Sequence, residues 1–143
     1  MKNIVENNKL IAEFMGVFDK ILSTGNIHSW SDAPFYYTTE DTKEKVIKNI
    51  CKYSKYDSDW NWLMKVVDKI ESFVLNDGNS FNVTIGATNY CVIQDSYGEI
   101  YENIEDSEET KLLTVYKAII KFIKWYNKQN KNNDKENNYI RII

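Results

Sequence analysis

The chain has 143 residues, of which 43% are hydrophobic, 14% aromatic and 27% charged, a composition that excludes a disordered polypeptide and fits one globular domain. Its formal net charge is -3 and Arg141 is its only arginine, a balance that argues against a general nucleic-acid-binding protein. No apolar run reaches the roughly 20 residues of a membrane span and the N-terminal residues do not resemble a signal peptide, so we expect a cytoplasmic protein without a membrane partner.

A first helix is predicted from Ile4 to Leu22, where apolar residues recur every three or four positions. Gly16 is a candidate interruption of this helix. The aromatic-rich segment IHSWSDAPFYYTTED, residues 27–41, contains the only proline and predicts a loop followed by a short strand. Thr39 or Asp41 then caps a short second helix with apolar residues at helical spacing.

A third helix is predicted in SDWNWLMKVVDKIESF, residues 58–73, with Asp57 or Ser58 as its N-terminal cap. Trp60 begins one apolar stripe of this helix, and Trp62 lies about 200° around the helix from it. We therefore expect Trp60 in the core, with Trp62 covered by a second layer of the fold or by a partner. The members of the predicted stripe are Trp60, Leu63, Met64, Val67, Ile70 and Val74.

The second half of the chain predicts a small sheet and a long helix. Alternating apolar residues in 81–85 and 90–92 predict two strands joined by a hairpin loop at 86–89, and residues 99–104 a third strand. Helical spacing extends from Ser107 to about Gln129. The predicted fold class is α+β: a small antiparallel hairpin or three-stranded sheet packed with three to four helices, the last one long.

We expect a single α+β domain over residues 1–127. Residues 128–143 are predicted to be a polar tail that ends in the apolar segment YIRII. This terminal segment either docks as an edge strand or marks a contact surface.

No phosphate-binding, dinucleotide-binding, serine-nucleophile or zinc-protease motif occurs in the chain. Cys51 and Cys91 are far apart and His28 is the only histidine, so the chain cannot supply a zinc cluster. A nucleophile paired with a base is poorly served, because His28 beside Ser29 is the only imidazole, and a surface or loop-packing role is the favoured interpretation of His28. The sequence thus predicts no metal, no cofactor and no catalytic residue. A carboxylate-dependent enzyme is the remaining catalytic alternative.

An acidic segment contains no lysine or arginine between Asp95 and Lys111. One interpretation is a solvated strand edge followed by acids in the first turn of the long helix, where the helix dipole favours them. The other is an acidic surface that engages a basic groove and imitates nucleic-acid phosphates. The candidate partner-binding acids are Glu99, Glu102, Glu105, Asp106 and Glu109.

Four aromatic residues do not fall on the main apolar stripes and are harder to bury. Helices on both sides of the sheet, or an oligomer, would cover them. Otherwise they form an exposed aromatic patch of the kind that anchors protein interfaces. The candidate partner-binding aromatics are Trp62, Trp125, Tyr36 and Tyr37.

Three separated stretches, ENNKLIAEFMG at 6–16, KYDSDWNWLMKVVDKIESF at 55–73 and TVYKAIIKFIKWYNKQ at 114–129, together cover about a third of the chain. They resemble segments of a group of small phage and prophage proteins of Bacteroidota. Asp57 stands where this pattern often has histidine, and the group lends no catalytic residues. The resemblance implies a phage accessory protein, a size class that often binds and disables host machinery, including CRISPR effectors.

From the resemblance we expect a non-enzymatic protein that binds and inhibits a host defence complex in the cytoplasm of a bacterial host, in the manner of an anti-CRISPR protein. The expected partner is a host protein or ribonucleoprotein complex, without direct sequence-specific contact to nucleic acid. A homodimer is compatible with these features. The alternative is a structural or assembly accessory protein of the phage that acts as a homo-oligomer.

Overall fold

The computed structural model describes residues 3–17, 43–75, 78–105, 110–132 and 140–142, with the backbone alone at 43, 46, 102–105, 131–132 and 140–142. Within these residues it has four helices and five strands, which confirms the predicted α+β class. Strands β2, β3 and β4 form an antiparallel sheet in that order, and β1 pairs with β5. The elements are α1 (Ile4–Phe14), α2 (Lys43–Tyr53), α3 (Trp60–Ser72), β1 (Phe73–Leu75), β2 (Phe81–Gly86), β3 (Tyr90–Asp95), β4 (Ile100–Glu105), α4 (Lys111–Asn132) and β5 (Ile140–Ile142).

Helix α1 ends at Phe14, next to the predicted interruption at Gly16, and residues 18–22 of the predicted helix lie outside the described residues. Gly16 has a φ of 72°, a left-handed conformation that glycine adopts without a steric cost. The predicted loop, strand and cap at 27–41 lie outside the described residues. Helix α2 confirms the predicted second helix and buries Ile50 and Cys51.

Helix α3 begins and ends at different residues from those predicted. Its N-terminal cap is Asp59, whose Oδ1 accepts a hydrogen bond of 2.8 Å from the amide of Asn61. The helix ends at Ser72 because Phe73 turns to an extended backbone, with φ -69° and ψ 140°, and starts β1. The apolar stripe of the predicted helix includes Val74, so the sequence does not predict strand β1.

The buried face of α3 is rotated from the predicted stripe. Leu63, Val67 and Ile70 are buried as predicted, but Trp60 is 38% exposed whereas Trp62 is only 7% exposed. The prediction that Trp60 belongs to the core is therefore wrong, as it is for Met64, which is 37% exposed. The reason is tertiary: α3 packs against both β2 and α4, which covers a wider face than one narrow stripe.

The predicted hairpin is present, and its turn depends on two special positions. A Cβ on Gly86 would lie 2.6 Å from Cδ1 of Tyr90, and Asn89 has a φ of 53°, a conformation that asparagine tolerates better than most residues. The third predicted strand is β4, which pairs with β3 with a register shift at Ile93 and Gln94. Such an irregularity bends the edge strand.

The C-terminal segment joins the fold through β1. Residues Ile140–Ile142 pair with β1 in antiparallel register, with Phe73 opposite Ile142 and Leu75 opposite Ile140. Of the two alternatives predicted for the YIRII segment, the structure contains the strand, formed by residues 140–142. Helix α4 continues through the predicted boundary at 127 to Asn132.

The core lies between the helices and the inner face of the sheet and is rich in aromatic rings. Phe73 stacks on Tyr126 with ring centroids 5.1 Å apart, and Phe81 meets Phe122 edge to face at 5.0 Å. These geometries are the favourable ones for aromatic pairs. Strand β1 and helix α4 are therefore held together by ring contacts as well as by burial.

A buried hydrogen-bond network ties α1 to α4 and to the loop after α2. The Tyr116 hydroxyl donates to Oδ1 of Asn8 at 2.9 Å. The Asn8 amide nitrogen donates to the carbonyl oxygen of Ser54 at 3.2 Å and to Oδ1 of Asp57 at 3.0 Å. Asn8 is only 2% exposed, so these bonds satisfy an amide that would otherwise be costly to bury.

Candidate partner-binding surface

Trp62 lies in the core and not on a surface. It is 7% exposed, and its ring meets that of Tyr56 edge to face at 5.1 Å. Two alternatives are predicted for this residue, and the structure contains the first of them: another part of the fold covers Trp62. Its ring is not offered to a partner, and a partner-binding role for Trp62 does not fit this structure.

Trp125 is half-buried at the contact between α4 and the sheet. Its ring centroid lies 4.2 Å from that of Tyr101 and 5.9 Å from that of Phe81. The residue packs against the core while keeping part of its surface open. Its main contribution is to hold β4 against α4, whereas the two other predicted aromatics, Tyr36 and Tyr37, lie outside the described residues.

Only part of the predicted acidic surface falls within the described residues. Glu99 is exposed, and Glu102 and Glu105 stand on β4 in register with Ile93 and Tyr90. Asp106 and Glu109 lie outside the described residues. The described acids thus belong to one outer strand of the three-stranded sheet and to the turn that precedes it.

The two outer strands of this sheet, β2 and β4, each have one edge with which no other described strand pairs. On β2, the backbone amide of Val83 donates to Oε2 of Glu71 from α3 at 3.4 Å, which blunts that edge. Among the described strands, β4 pairs with β3 alone. Strand β2 also pairs with β3 alone, so both are outer strands of this sheet in the part of the chain that the structure describes.

A tightly held turn connects β3 to β4, and we call residues 95–100 the Asp95 turn. Asp95 is 4% exposed, and its Oδ1 accepts hydrogen bonds from the amides of Tyr97 at 2.9 Å and Glu99 at 3.1 Å. Its Oδ2 accepts a bond of 2.9 Å from the hydroxyl of Tyr101. Gly98 completes the turn with a φ of 87°. One buried carboxylate thus organises the whole turn.

The Asp95 turn presents two large apolar side chains to solvent. Tyr97 is 73% exposed and Ile100 is 57% exposed, with Glu99 between them. Tyr97 and Ile100 are not among the contact residues that the sequence predicts. A usable signal was present, because an aromatic residue between Ser96 and Gly98 in a turn has little opportunity to be buried.

A second exposed group lies on the helices. Trp60 and Met64 are four residues apart and so share one face of α3, and both are more than a third exposed. Tyr53, at the end of α2, is 44% exposed. These side chains complete the set of large exposed hydrophobic residues together with Ile4 and Val5 of α1 in the described part of the chain.

Within the described residues, four side chains have a perturbed pKa: Tyr56, Tyr116 and Cys51 are buried and Lys69 is half-buried. Burial raises the pKa of the hydroxyls of Tyr56 and Tyr116, and the charge of Asp57 adds to the effect on Tyr116. Burial also raises the pKa of the Cys51 thiol and lowers that of the Lys69 ammonium, which donates to the carbonyl oxygen of Phe14. Lys69 thus caps the end of α1.

The described residues contain no group of three or more His, Cys, Asp or Glu side chains that could hold a metal ion. A search of the same residues found no helix with the length and apolarity needed to cross a membrane. Comparison of the chain with protein-family models, curated proteins and solved structures gave no match. The resemblance to phage and prophage proteins therefore stays a prediction.

Proposed function

We propose that this chain is a non-enzymatic phage or prophage protein that binds and inhibits a host defence complex, such as a CRISPR nuclease. The resemblance of its three stretches to phage proteins supports the biological setting. The observation that carries a binding role is the exposure of Tyr97 and Ile100 on the Asp95 turn.

The Asp95 turn has the properties of an interface anchor. Tyrosine is enriched at binding hot spots, where one side chain can contribute 2 kcal/mol or more, on the order of a 30-fold change in affinity. Asp95 already orders the turn through three hydrogen bonds, so little conformational entropy remains to be lost on binding. Glu99 beside Tyr97 adds a negative charge that suits a partner with a basic groove.

The test is inhibition of candidate defence nucleases in a bacterial host, measured by phage plating and by target cleavage with the purified components. We expect the wild-type protein to raise plating and to reduce cleavage for one system. Tyr97→Ala and Ile100→Ser should each weaken inhibition by about 10-fold or more, whereas Tyr53→Ala, an exposed tyrosine on α2, should not. No change in plating or cleavage with any system would sink the proposal.

The alternative is a phage structural or assembly protein that acts as a homo-oligomer. The exposed pair Trp60 and Met64 favours it, because a shared apolar face on one helix suits a symmetric contact between two copies. Light scattering of the wild-type protein and of Trp60→Ala tests this alternative. A defined oligomer that Trp60→Ala converts to a monomer would support the assembly role, and a monomer for the wild-type protein would count against it.

A further inference from the structure

The Asp95 turn is held from inside by a group that a bound protein does not reach. Two backbone hydrogen bonds close the turn, from the amide of Gly98 to the carbonyl oxygen of Asp95 and from the amide of Asp95 to the carbonyl oxygen of Glu99, each 3.1 Å long. Three further bonds end on the Asp95 carboxylate. Because Asp95 is only 4% exposed, a partner would meet the side chains around this carboxylate and not the carboxylate itself.

Tyr101 connects this turn to the core. Its hydroxyl donates to Oδ2 of Asp95 at 2.9 Å. The centroid of its ring lies 4.2 Å from that of Trp125 on α4, and 5.1 Å from that of Phe81 on β2 in an edge-to-face contact. Phe81 is 1% exposed. The position of the Tyr101 hydroxyl is therefore set by α4 and β2, and through it the Asp95 carboxylate is fixed from outside the turn.

The two exposed side chains of the turn lie close to these fixed groups. The backbone amide of Tyr97 is one of the donors to the Asp95 carboxylate, and Ile100 directly precedes Tyr101 in the chain. The directions of the Tyr97 and Ile100 side chains therefore depend on Asp95 and Tyr101. An exposed turn without such support samples many conformations, and ordering it on binding costs affinity.

We propose that Asp95 and Tyr101 are positioning residues of the binding surface, which hold Tyr97 and Ile100 in the arrangement that binds the partner. Because this role concerns the same turn, it rests on the proposed function. Trp125, a predicted partner-binding residue, acts in this arrangement by supporting the Tyr101 ring. Ordering one residue of the backbone on binding corresponds to a loss of about 5- to 30-fold in affinity, and this is the loss expected for Tyr101→Phe.

Tyr101→Phe separates positioning from direct contact, because it removes the hydroxyl that faces Asp95 and leaves the ring in place. The matched control is Tyr90→Phe, which removes a hydroxyl from another half-buried tyrosine, at the hairpin end of the same sheet. Asp95→Ala removes the acceptor of all three bonds. Since Tyr101 acts through Asp95, Tyr101→Phe should cause no further loss of binding in the Asp95→Ala background. If Asp95→Ala does not fold, Tyr101→Phe and its control decide the matter.

The first measurement is amide hydrogen exchange in the free, full-length protein, followed by NMR. In Tyr101→Phe the amides of Tyr97 and Glu99 should exchange about 10-fold faster than in the wild type. In Tyr90→Phe they should exchange at the wild-type rate. Because no partner is present, this measurement reports on the turn whether or not the proposed function is correct.

The second measurement is inhibition of the nuclease that the plating and cleavage tests identify. The inhibitory concentration should rise about 5- to 30-fold for Tyr101→Phe, by more for Asp95→Ala, and not for Tyr90→Phe. Urea unfolding of each variant establishes that it is folded under the conditions of the assay, so that a loss of inhibition is not a loss of folded protein.

The outcomes separate this role from the proposed function. Unchanged exchange of the Tyr97 and Glu99 amides in Tyr101→Phe would overturn the positioning role. Faster exchange with unchanged inhibition would overturn it as well, since the partner would then bind a loosened turn equally well. A further loss from Tyr101→Phe in the Asp95→Ala background would show that Tyr101 does not act through Asp95. If the wild-type protein inhibits no nuclease, the proposed function fails, and the exchange rates alone decide whether these two residues hold the turn.

Discussion

Removing the hydroxyl of Tyr116 perturbs the network that joins α1 to α4. Tyr116 is 0% exposed and donates to Oδ1 of Asn8, itself 2% exposed, at 2.9 Å. In Tyr116→Phe this amide oxygen loses its donor at a place that water does not reach. We expect unfolding free energy to fall by about 1–3 kcal/mol, which lowers the melting temperature by roughly 2–4 °C per kcal/mol in a chain of this size.

A double-mutant cycle separates the shared hydrogen bond from simple loss of packing. Asn8→Leu has a similar volume but leaves the Tyr116 hydroxyl without its acceptor, and it removes the donor to Ser54 and Asp57. The double variant Tyr116→Phe/Asn8→Leu replaces both partners, so its loss should be smaller than the sum of the single losses by about 1 kcal/mol or more.

The assay for this cycle is urea unfolding followed by circular dichroism, with comparable m values as a check that the unfolded states match. Tyr53→Phe, which removes a hydroxyl from a tyrosine that is 44% exposed, is the control and should change stability little. Single losses that add to within about 0.3 kcal/mol would refute the shared buried bond.

Two further predictions concern the tryptophan helix and pH. Trp62→Ala should cost about 3–5 kcal/mol and Trp60→Ala roughly half of that or less, because Trp62 is 7% exposed and Trp60 is 38% exposed; equal losses in urea unfolding would contradict this assignment. Burial raises the pKa of Tyr56 above its ordinary value of 10.0, so the stability linked to its proton is fully present below pH 10.0 and decreases as the pH rises above it. The advantage of wild type over Tyr56→Phe should then shrink by about 1.4 kcal/mol per pH unit, and a difference independent of pH would exclude the effect.

The elements that were predicted well are those with a strong local signal. The hairpin follows from alternation on both sides of 86–89, and α4 follows from helical spacing over many turns. The α+β class follows from their combination. Strand β1 was missed because three residues directly after a helix have no period of their own, and their extended backbone depends on pairing with β5 far along the chain.

The candidate site is likewise predictable from the sequence only in part. The acidic composition of the segment from Asp95 onward is visible in the sequence, and so is the turn around Gly98. The sequence does not show that Asp95 is buried and organises that turn, because an aspartate in a turn is usually solvated. Only the position of Tyr101 against the core brings its hydroxyl within 2.9 Å of this carboxylate.

By itself the sequence determined the order and type of most helices and strands, the hairpin and the absence of the familiar catalytic motifs, since these depend on neighbours in the chain. The tertiary structure decided which tryptophan of α3 is buried, where Asn8 finds its partners and which residues the Asp95 turn exposes. The sequence of a helix identifies its apolar residues but not the elements of the fold that will cover them. Trp62 is buried and Trp60 exposed because β2, α4 and Tyr56 pack on one side of α3, a fact that no local spacing contains.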